Sequence, residues 1–296
     1  MPALRDLPRD AGFTEIADRV WMARHAWFDV NVSVIAGDRG LLVVDTHASE
    51  HAARSVIENL RRSLRQEVVA VVNTHEHFDH TFGNGAFRAA YPGVPLIAHE
   101  NAAARTASAG ERIQRLYDEE GGDPHREEVQ ATAIVPADTT FSSVHLVDLG
   151  DRAVELVHPG LGHTSGDVVA RVEDADVLFA GDLVEESADR GGVPGFGADC
   201  HPMSWPLTLD LVLGLVREHT VVVPGHGNPV DRDLVEAQRG AIGVVAETIR
   251  DLAGRGVRVD DALAAADWPY PRDELAHAVR RGYAELPHAS KQLPLI

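Results

Sequence analysis

Side chains that bind metal ions are concentrated in one six-residue segment, His75 to His80. It reads His-Glu-His-Phe-Asp-His. Imidazole and carboxylate groups are ligands that zinc and similar ions prefer. Three histidines and one aspartate at this spacing can supply two adjacent ions. We therefore predict a metal site here, against the alternative that the histidines merely reflect surface composition.

Three later segments share a second pattern. Each places a histidine or an aspartate beside glycine, just after an apolar run, and the residues concerned are His163, Asp182 and His226. Glycine permits the sharp backbone turns that present a side chain from the end of a strand. One such turn would mean little, but three of them indicate that the segments are related.

The surrounding pattern predicts the elements that must position these side chains. Residues 68–72 are a continuous apolar run, typical of a strand buried on both faces, and they lead directly to His75. The segment from His75 to His80 is therefore expected in a loop at a strand end. Residues 37–40 favour a hairpin turn, and residues 50–65 have the 3.6-residue apolar period of a helix. The whole order predicts two packed sheets with helices outside them.

Composition restricts the class of protein. The chain has 296 residues and a net charge of -19, so nucleic acids would be repelled and a small-molecule substrate is expected. No apolar run approaches the ~20 residues of a membrane span, and the first residues lack a secretory pattern, so we expect a cytoplasmic protein without a membrane partner. The one cysteine, Cys200, permits neither an internal disulfide nor a thiolate cluster. The sequence leaves the oligomeric state open.

Over roughly residues 14 to 230 the sequence resembles the metallo-β-lactamase superfamily. The HxHxDH motif of that family is matched in full from His75 to His80. The resemblance implies an α+β protein with an αββα sandwich and the metals at one edge. It further implies a catalytic domain over residues 14–230, with a C-terminal helical extension over residues 231–296 packed on it.

The resemblance also implies a ligand set. The first ion would be held by His75, His77 and His163. The second would be held by Asp79, His80 and His226, with Asp182 bridging the two. Asp79 would also be catalytic, because it would orient the nucleophile, and Asp45 would give structural support near the site. Two zinc ions are expected, although the same ligands accept iron or manganese.

The activity that this site implies is hydrolysis. Two ions about 3.5–4 Å apart can share a hydroxide that attacks an activated carbonyl, such as that of a lactone, a thioester or a strained amide. The motif is similar to those of the lactamase-like and SoxH-like branches. The long segment between His80 and His163 disfavours glyoxalase II, and Asp182 disfavours a dedicated β-lactamase. Two alternatives remain: a mononuclear iron oxygenase of the persulfide dioxygenase kind, and a non-catalytic metal-binding protein.

Three residues outside the motif are candidates for substrate binding. Trp27 and Phe28 lie where many relatives have a flap over the metals, and the alternative is ordinary packing at an edge. His201 lies in the glycine-rich residues 191–203, and the alternative is a surface loop without a chemical role.

Overall fold

Residues 6–286 are described by a computed structural model. Two β-sheets pack face to face, and helices cover the outer side of each sheet. The apolar side chains between the sheets come from both of them, for example Val72 and Ile97 from one and Phe179 and Val223 from the other. This arrangement confirms the predicted α+β class and the αββα sandwich.

The first sheet has seven strands that follow one another in chain order. They are β1 (Thr14–Ala17), β2 (Val20–Arg24), β3 (Asn31–Gly37), β4 (Gly40–Val44), β5 (Val68–Val72), β6 (Leu96–His99) and β7 (Thr139–Phe141). The first four strands are antiparallel to one another, and β4 to β7 are parallel. Gly37 pairs with Gly40, as expected for the predicted hairpin.

The second sheet has five strands in the order β12-β11-β10-β9-β8. They are β8 (Val144–Asp148), β9 (Ala153–Val157), β10 (Val169–Val172), β11 (Val177–Glu185) and β12 (Val221–His226). Only β11 and β12 are parallel to each other among these neighbours. A bridge between Val30 and His226 ties the end of β12 to the first sheet.

Nine α-helices occur between residues 6 and 286. They are α1 (Glu50–Ser63), α2 (Phe78–Thr81), α3 (Asn84–Ala90), α4 (Glu100–Glu120), α5 (Arg126–Ala131), α6 (Trp205–Leu215), α7 (Arg232–Gly254), α8 (Val259–Ala262) and α9 (Ala276–Glu285). The helix α1 starts where the Ser49 side chain accepts a hydrogen bond from the Ala52 amide, 2.9 Å away. None of these helices is both long enough and apolar enough to cross a membrane.

Helices cover the two sheets in separate apolar cores. Val56 and Leu60 of α1 pack on the first sheet. The helices α6, α7 and α9 pack on the second sheet, where Ile249 and Val279 share a core with Val222. The division of the chain into residues 14–230 and 231–296 stays a prediction, and residues 287–296 of the predicted extension lie outside the described residues.

Three local predictions about the site segments were wrong. His226 does not lie in a turn after a strand, because it is the last residue of β12. Asp79 and His80 do not lie in a loop, because residues 78–81 form the single turn of α2. Asp182 does not lie in a turn after a strand, because β11 continues past it to Glu185. Gly181 has a φ of 53°, and the register with β12 shifts there, so an irregularity within the strand replaces the expected turn. The short elements β1, α5 and β7 were not predicted, since none shows a clear apolar period.

The ends of four strands converge at one edge of the sandwich. Asp45 follows β4 directly, and His75 follows β5 after two residues. Asp182 lies in the last half of β11, and His226 is the last residue of β12. Both pairs of strands are parallel, so their carboxyl ends lie at the same edge and the attached side chains meet there.

Candidate metal centre

The segment that carries the motif is held by an apolar side chain at each end of α2. Phe78 and Phe82 pack together with rings 5.4 Å apart in an apolar cluster. The amide of His80 donates to the His77 carbonyl, and the Thr81 hydroxyl donates to the same carbonyl. The one-turn helix therefore fixes the directions in which the Asp79 and His80 side chains leave the backbone.

Two glycines allow neighbouring strands to approach the centre closely. A Cβ at Gly225 would lie 1.9 Å from Oδ1 of Asp182, and a Cβ at Gly181 would lie 2.8 Å from the Cβ of Thr74. Neither position has room for a side chain. The glycine that precedes Asp182 and the one that precedes His226 are thus explained by packing around the centre.

The first cluster consists of His75, His77 and His163. Nδ1 of His77 is 2.9 Å from Nε2 of His163, and the ring of His75 is 4.7 Å from each of the other two rings. One nitrogen from each residue lies within 4.8 Å of the other two. Three imidazoles in this arrangement can hold one ion.

The second cluster consists of Asp79, His80 and His226. Nε2 of His80 is 3.3 Å from Nε2 of His226. Oδ2 of Asp79 is 3.7 Å from the first of these nitrogens and 3.4 Å from the second. These three atoms also lie within 4.8 Å of one another. A second ion can therefore be held beside the first cluster.

Asp182 contacts both clusters. Its Oδ2 is 3.5 Å from Nε2 of His163 in the first cluster and 3.2 Å from Nε2 of His226 in the second. Its Oδ1 is 3.2 Å from Nε2 of His80. All seven residues of the ligand set suggested by the sequence are therefore brought together, with Asp182 between the two clusters.

Outer hydrogen bonds orient the imidazoles next to Asp45. This carboxylate accepts from Nδ1 of His80 at 2.9 Å and from both the amide and the hydroxyl of Thr74 at 2.8 Å. Because the only hydroxyl proton of Thr74 goes to Asp45, its oxygen accepts from Nδ1 of His75, 3.1 Å away. Nε2 of His75 and of His80 then keep a lone pair that faces the centre, as metal-binding histidines require.

The other three histidines are oriented in the same way by loops. Nε2 of His77 donates to Asp199 at 3.0 Å, and Nδ1 of His163 donates to the Gly195 carbonyl at 2.8 Å. Nδ1 of His226 donates to the Phe28 carbonyl at 2.8 Å. Every histidine of the two clusters therefore presents one nitrogen to the centre and uses the other outside it.

The fit of a metal ion is supported by a buried nitrogen without a partner. Within residues 6–286, Nε2 of His75 is buried and makes no hydrogen bond. Buried polar atoms without a partner are rare and costly, and a position beside a metal ion is one of the explanations for them. The donor set of five imidazoles and two carboxylates suits zinc, iron or manganese.

Burial and neighbouring charges set the protonation of the centre. Burial lowers the pKa of His75 well below its usual range and that of His163 to about 4, so both imidazoles are neutral. Burial also disfavours the charged form of His77, but the hydrogen bond and the charge of Asp199 outweigh it and raise the pKa of His77 to about 9. Ligand histidines must be neutral, so metal binding at the first cluster would release a proton.

A cavity of about 220 Å³ opens over the two clusters. Its walls combine residues of the clusters, apolar side chains and two guanidinium groups. The lining residues are Phe28, His77, Phe78, Asp79, Ala109, Arg112, Ile113, His163, Asp182 and Arg190. The long segment after His80 supplies part of this wall, because Ala109, Arg112 and Ile113 belong to α4.

The candidate substrate residues differ in their positions. Phe28 lines the cavity, and its ring packs edge-on against Phe78 at 5.4 Å. Trp27 does not line it and stacks instead on His125 at 3.8 Å. His201 does not line it either, because its Nδ1 bonds to Glu285 at 2.6 Å. A role in substrate binding stays a prediction for all three.

A family model described as the metallo-beta-lactamase superfamily matches residues 25–226, which include both clusters and Asp182. The chain belongs to the metallo-beta-lactamase superfamily. Proteins of this superfamily bind metal ions, commonly zinc.

Relatives within the superfamily carry several different names. A metallo-beta-lactamase type 2 of Bacillus cereus is 28% identical, over 69% of this chain and 70% of its own. The alpha subunit of a 2,4-dinitroanisole O-demethylase of Nocardioides is also 28% identical, over 87% of this chain and 70% of its own. A human acyl-coenzyme A thioesterase is 26% identical, over 71% of this chain and 72% of its own. The family is thus established, but these names do not agree on one activity.

Solved structures support the fold. A metallo-beta-lactamase from Pontibacter korlensis superposes with a TM-score of 0.62 at 23% identity, over 78% of this chain and 98% of its own. At that level of identity the likeness extends to the fold and no further.

Several residues around the centre were not found from the sequence. Asp199, the Gly195 carbonyl and the Phe28 carbonyl orient histidines, and Arg112 and Arg190 line the cavity. No local pattern marks them, because each reaches the centre only through the tertiary fold. The one available signal was that Asp199 lies beside Cys200 and His201, in a loop that the sequence had suggested near the pocket.

Proposed function

We propose that the protein is a dinuclear metal-dependent hydrolase. The observation that supports this most directly is the spacing of the ligand atoms. In each cluster these atoms lie within 4.8 Å of one another, and the same holds for a third group, His75, His80 and Asp182, which takes one histidine from each cluster. The first cluster would hold one ion, the second cluster the other, and Asp182 would bridge them. Zinc is the metal that we infer, with iron and manganese as alternatives.

The two ions, when bound, would acidify a water molecule and polarise the oxygen of a carbonyl group. Asp79 is the residue that we assign as catalytic. Its carboxylate lines the cavity, and its Oδ2 lies within 3.7 Å of both histidines of the second cluster. From there it can accept a hydrogen bond from the attacking water and hold the proton that the water loses.

The substrate class that we infer is a small molecule with an activated carbonyl, such as a lactone, a thioester or a strained amide. The apolar wall of Phe28, Phe78 and Ile113 can exclude bulk water around such a group. Two of the relatives are named for reactions of this kind, one as a thioesterase and one as a β-lactamase. The O-demethylase subunit, which aligns with 87% of the chain, is named for an ether cleavage, so an activated aryl ether belongs among the test substrates.

The experiment is elemental analysis of protein purified without added metal or chelator, followed by a panel of lactones, thioesters, β-lactams, phosphodiesters and an aryl ether. We expect two zinc ions per chain and hydrolysis of a carbonyl substrate. Removal of the metal with a chelator should abolish hydrolysis, and addition of zinc should restore it. One iron per chain, with oxygen uptake on persulfides, would replace the hydrolase by the oxygenase. Bound metal without turnover of any of these substrates would favour the non-catalytic metal-binding protein.

A further inference from the structure

The helix α4 turns one face towards the cavity. Ala109, Arg112 and Ile113 are spaced three and four residues apart, so they lie side by side on that face. Ala109 and Ile113 extend the apolar wall formed by Phe28 and Phe78. Arg112 places a positive charge at the edge of this otherwise apolar surface.

The charge of Arg112 is only partly offset by the protein. Its guanidinium is 3.7 Å from Oδ2 of Asp199, which already accepts a hydrogen bond from His77 at 3.0 Å. Within residues 6–286 no hydrogen bond from the Arg112 side chain is formed, and the side chain is 44% exposed. A guanidinium has five N–H donors in a planar fork that fits a carboxylate, and Arg112 lines the cavity.

Arg190, the other guanidinium of the cavity, is already engaged by the protein. Its Nη1 is 3.5 Å from Glu185 and 4.0 Å from Asp182. Its charge therefore offsets those of carboxylates at the centre. Of the two arginines, Arg190 makes a hydrogen bond to a carboxylate at 3.5 Å, whereas the Arg112 side chain makes none to the residues that the structure describes.

A second cavity, of about 240 Å³, also borders Arg112. It is lined by Arg105, Ser108 and Ala109 together with the carboxylates of Glu76 and Asp199. Those two carboxylates would repel an anion. The first cavity is also lined by two carboxylates, Asp79 and Asp182, but the proposed metal ions would neutralise their charges. An anionic group would therefore bind on the side of Arg112 that faces the apolar cavity over the clusters.

We propose that Arg112 binds an anionic group of the substrate, a carboxylate or a group of similar charge, while an adjacent apolar part packs against Phe28, Phe78 and Ile113. This inference rests on the proposed function and narrows its substrate to an acidic molecule with an apolar segment. The net charge of -19 would repel such a molecule at long range, so a local cation is needed to bind it.

The test compares two thioesters of the same thiol, a hexanoyl thioester and an adipoyl thioester that differs by a terminal carboxylate. They are measured with the wild type, with Arg112→Gln and with Arg115→Gln. Arg115 lies on the same helix and is exposed, but it does not line the cavity, so its substitution is a control for the loss of one charge. Binding of the matching thioethers, which cannot be hydrolysed, is measured by calorimetry.

We expect the wild type to prefer the adipoyl thioester by at least about tenfold in kcat/KM. Arg112→Gln should raise KM for that substrate by about tenfold, the size of one hydrogen bond between charged groups, with little change in kcat. KM for the hexanoyl thioester should not change in Arg112→Gln. Arg115→Gln should cleave both thioesters as the wild type does.

Equal cleavage of both thioesters, or an equal loss on both after Arg112→Gln, would overturn the inference and leave the hydrolase in place. Cleavage of neither thioester by the wild type would count against the proposed function. In that case calorimetry decides the inference separately, because Arg112 must still discriminate between the two thioethers.

Discussion

The two clusters differ in what holds their side chains in place. The second cluster is enclosed, with His80 and His226 fully buried. His80 is oriented by Asp45 at the end of β4, and His226 is the last residue of β12. In the first cluster, by contrast, the His77 side chain is 20% exposed, and Asp199, which orients it, lies in a loop. Residues at strand ends therefore position His80 and His226 of the second cluster, with the Phe28 carbonyl also orienting His226. In the first cluster a loop side chain, Asp199, orients His77.

The loop that carries Asp199 is bound to α9 by two hydrogen bonds. Nε of Arg281 in α9 donates to the Cys200 carbonyl at 2.9 Å, and Glu285 accepts from His201 at 2.6 Å. The orientation of His77 thus depends, through Asp199, on residues more than eighty positions later in the chain. We infer that the first ion is the more easily lost and that α9 contributes to holding it.

The largest expected effect comes from the residue that both clusters share. Asp182→Asn keeps the shape of the side chain but removes the charge that lies within 3.5 Å of both His163 and His226. We expect the second ion to be depleted and hydrolysis to fall by about a hundredfold or more, the scale of losing a key electrostatic group. Metal content and kcat measure this. Full activity with both ions retained would overturn the dinuclear assignment.

A smaller and more selective loss is expected from Asp45→Asn. The φ of 62° at this position is tolerated by asparagine, so the backbone should be kept. An amide cannot accept all the donors that now face the carboxylate, and the affinity of the second cluster should fall by about 10–100-fold. Two-step zinc titration against a chelator measures each site, with the exposed Asp260→Asn as control. A loss of zinc affinity confined to the first cluster would mean that Asp45 supports that cluster and not the second.

Asp199→Asn should weaken the first cluster instead. Asp199 is partly exposed and makes one bond to His77, so we expect the first ion to bind about tenfold more weakly, at the lower end of such effects. Asp199→Glu should restore part of the affinity. The absorption spectrum of the cobalt-substituted protein should change in its first-site bands, and Asp267→Asn, an exposed site, should leave it unchanged. An unaltered titration in Asp199→Asn would mean that the loop does not support the first ion.

The sequence predicted the strand before His75 and the helix after Ser49 well, because both are marked by local patterns of apolar residues. The apolar run Val68–Val72 and the following His75 were placed correctly, and so was the helix that starts at Glu50. The turn of α2 escaped prediction because it is too short to show a period. Asp199 and Arg112 escaped because their roles depend on loops and helices that approach the centre from distant parts of the chain.

The smallest expected effect is on the opening of the loop that carries Asp199. It is measured by the reactivity of Cys200 in the same loop. Burial raises the pKa of this thiol above its usual range, so the reactive thiolate is scarce at pH 8. Labelling by a thiol reagent at pH 8 should be at least about a hundredfold slower in the folded protein than in urea, because the loop must open first.

Arg281→Ala removes the bond to the Cys200 carbonyl and should speed labelling about fivefold, the factor for ~1 kcal/mol of hydrogen bonding. Arg280→Ala, on the exposed side of the same helix, is the matched control. Equal rates in both variants would show that α9 does not hold the loop, and the difference between the two clusters would then rest on Asp199 alone.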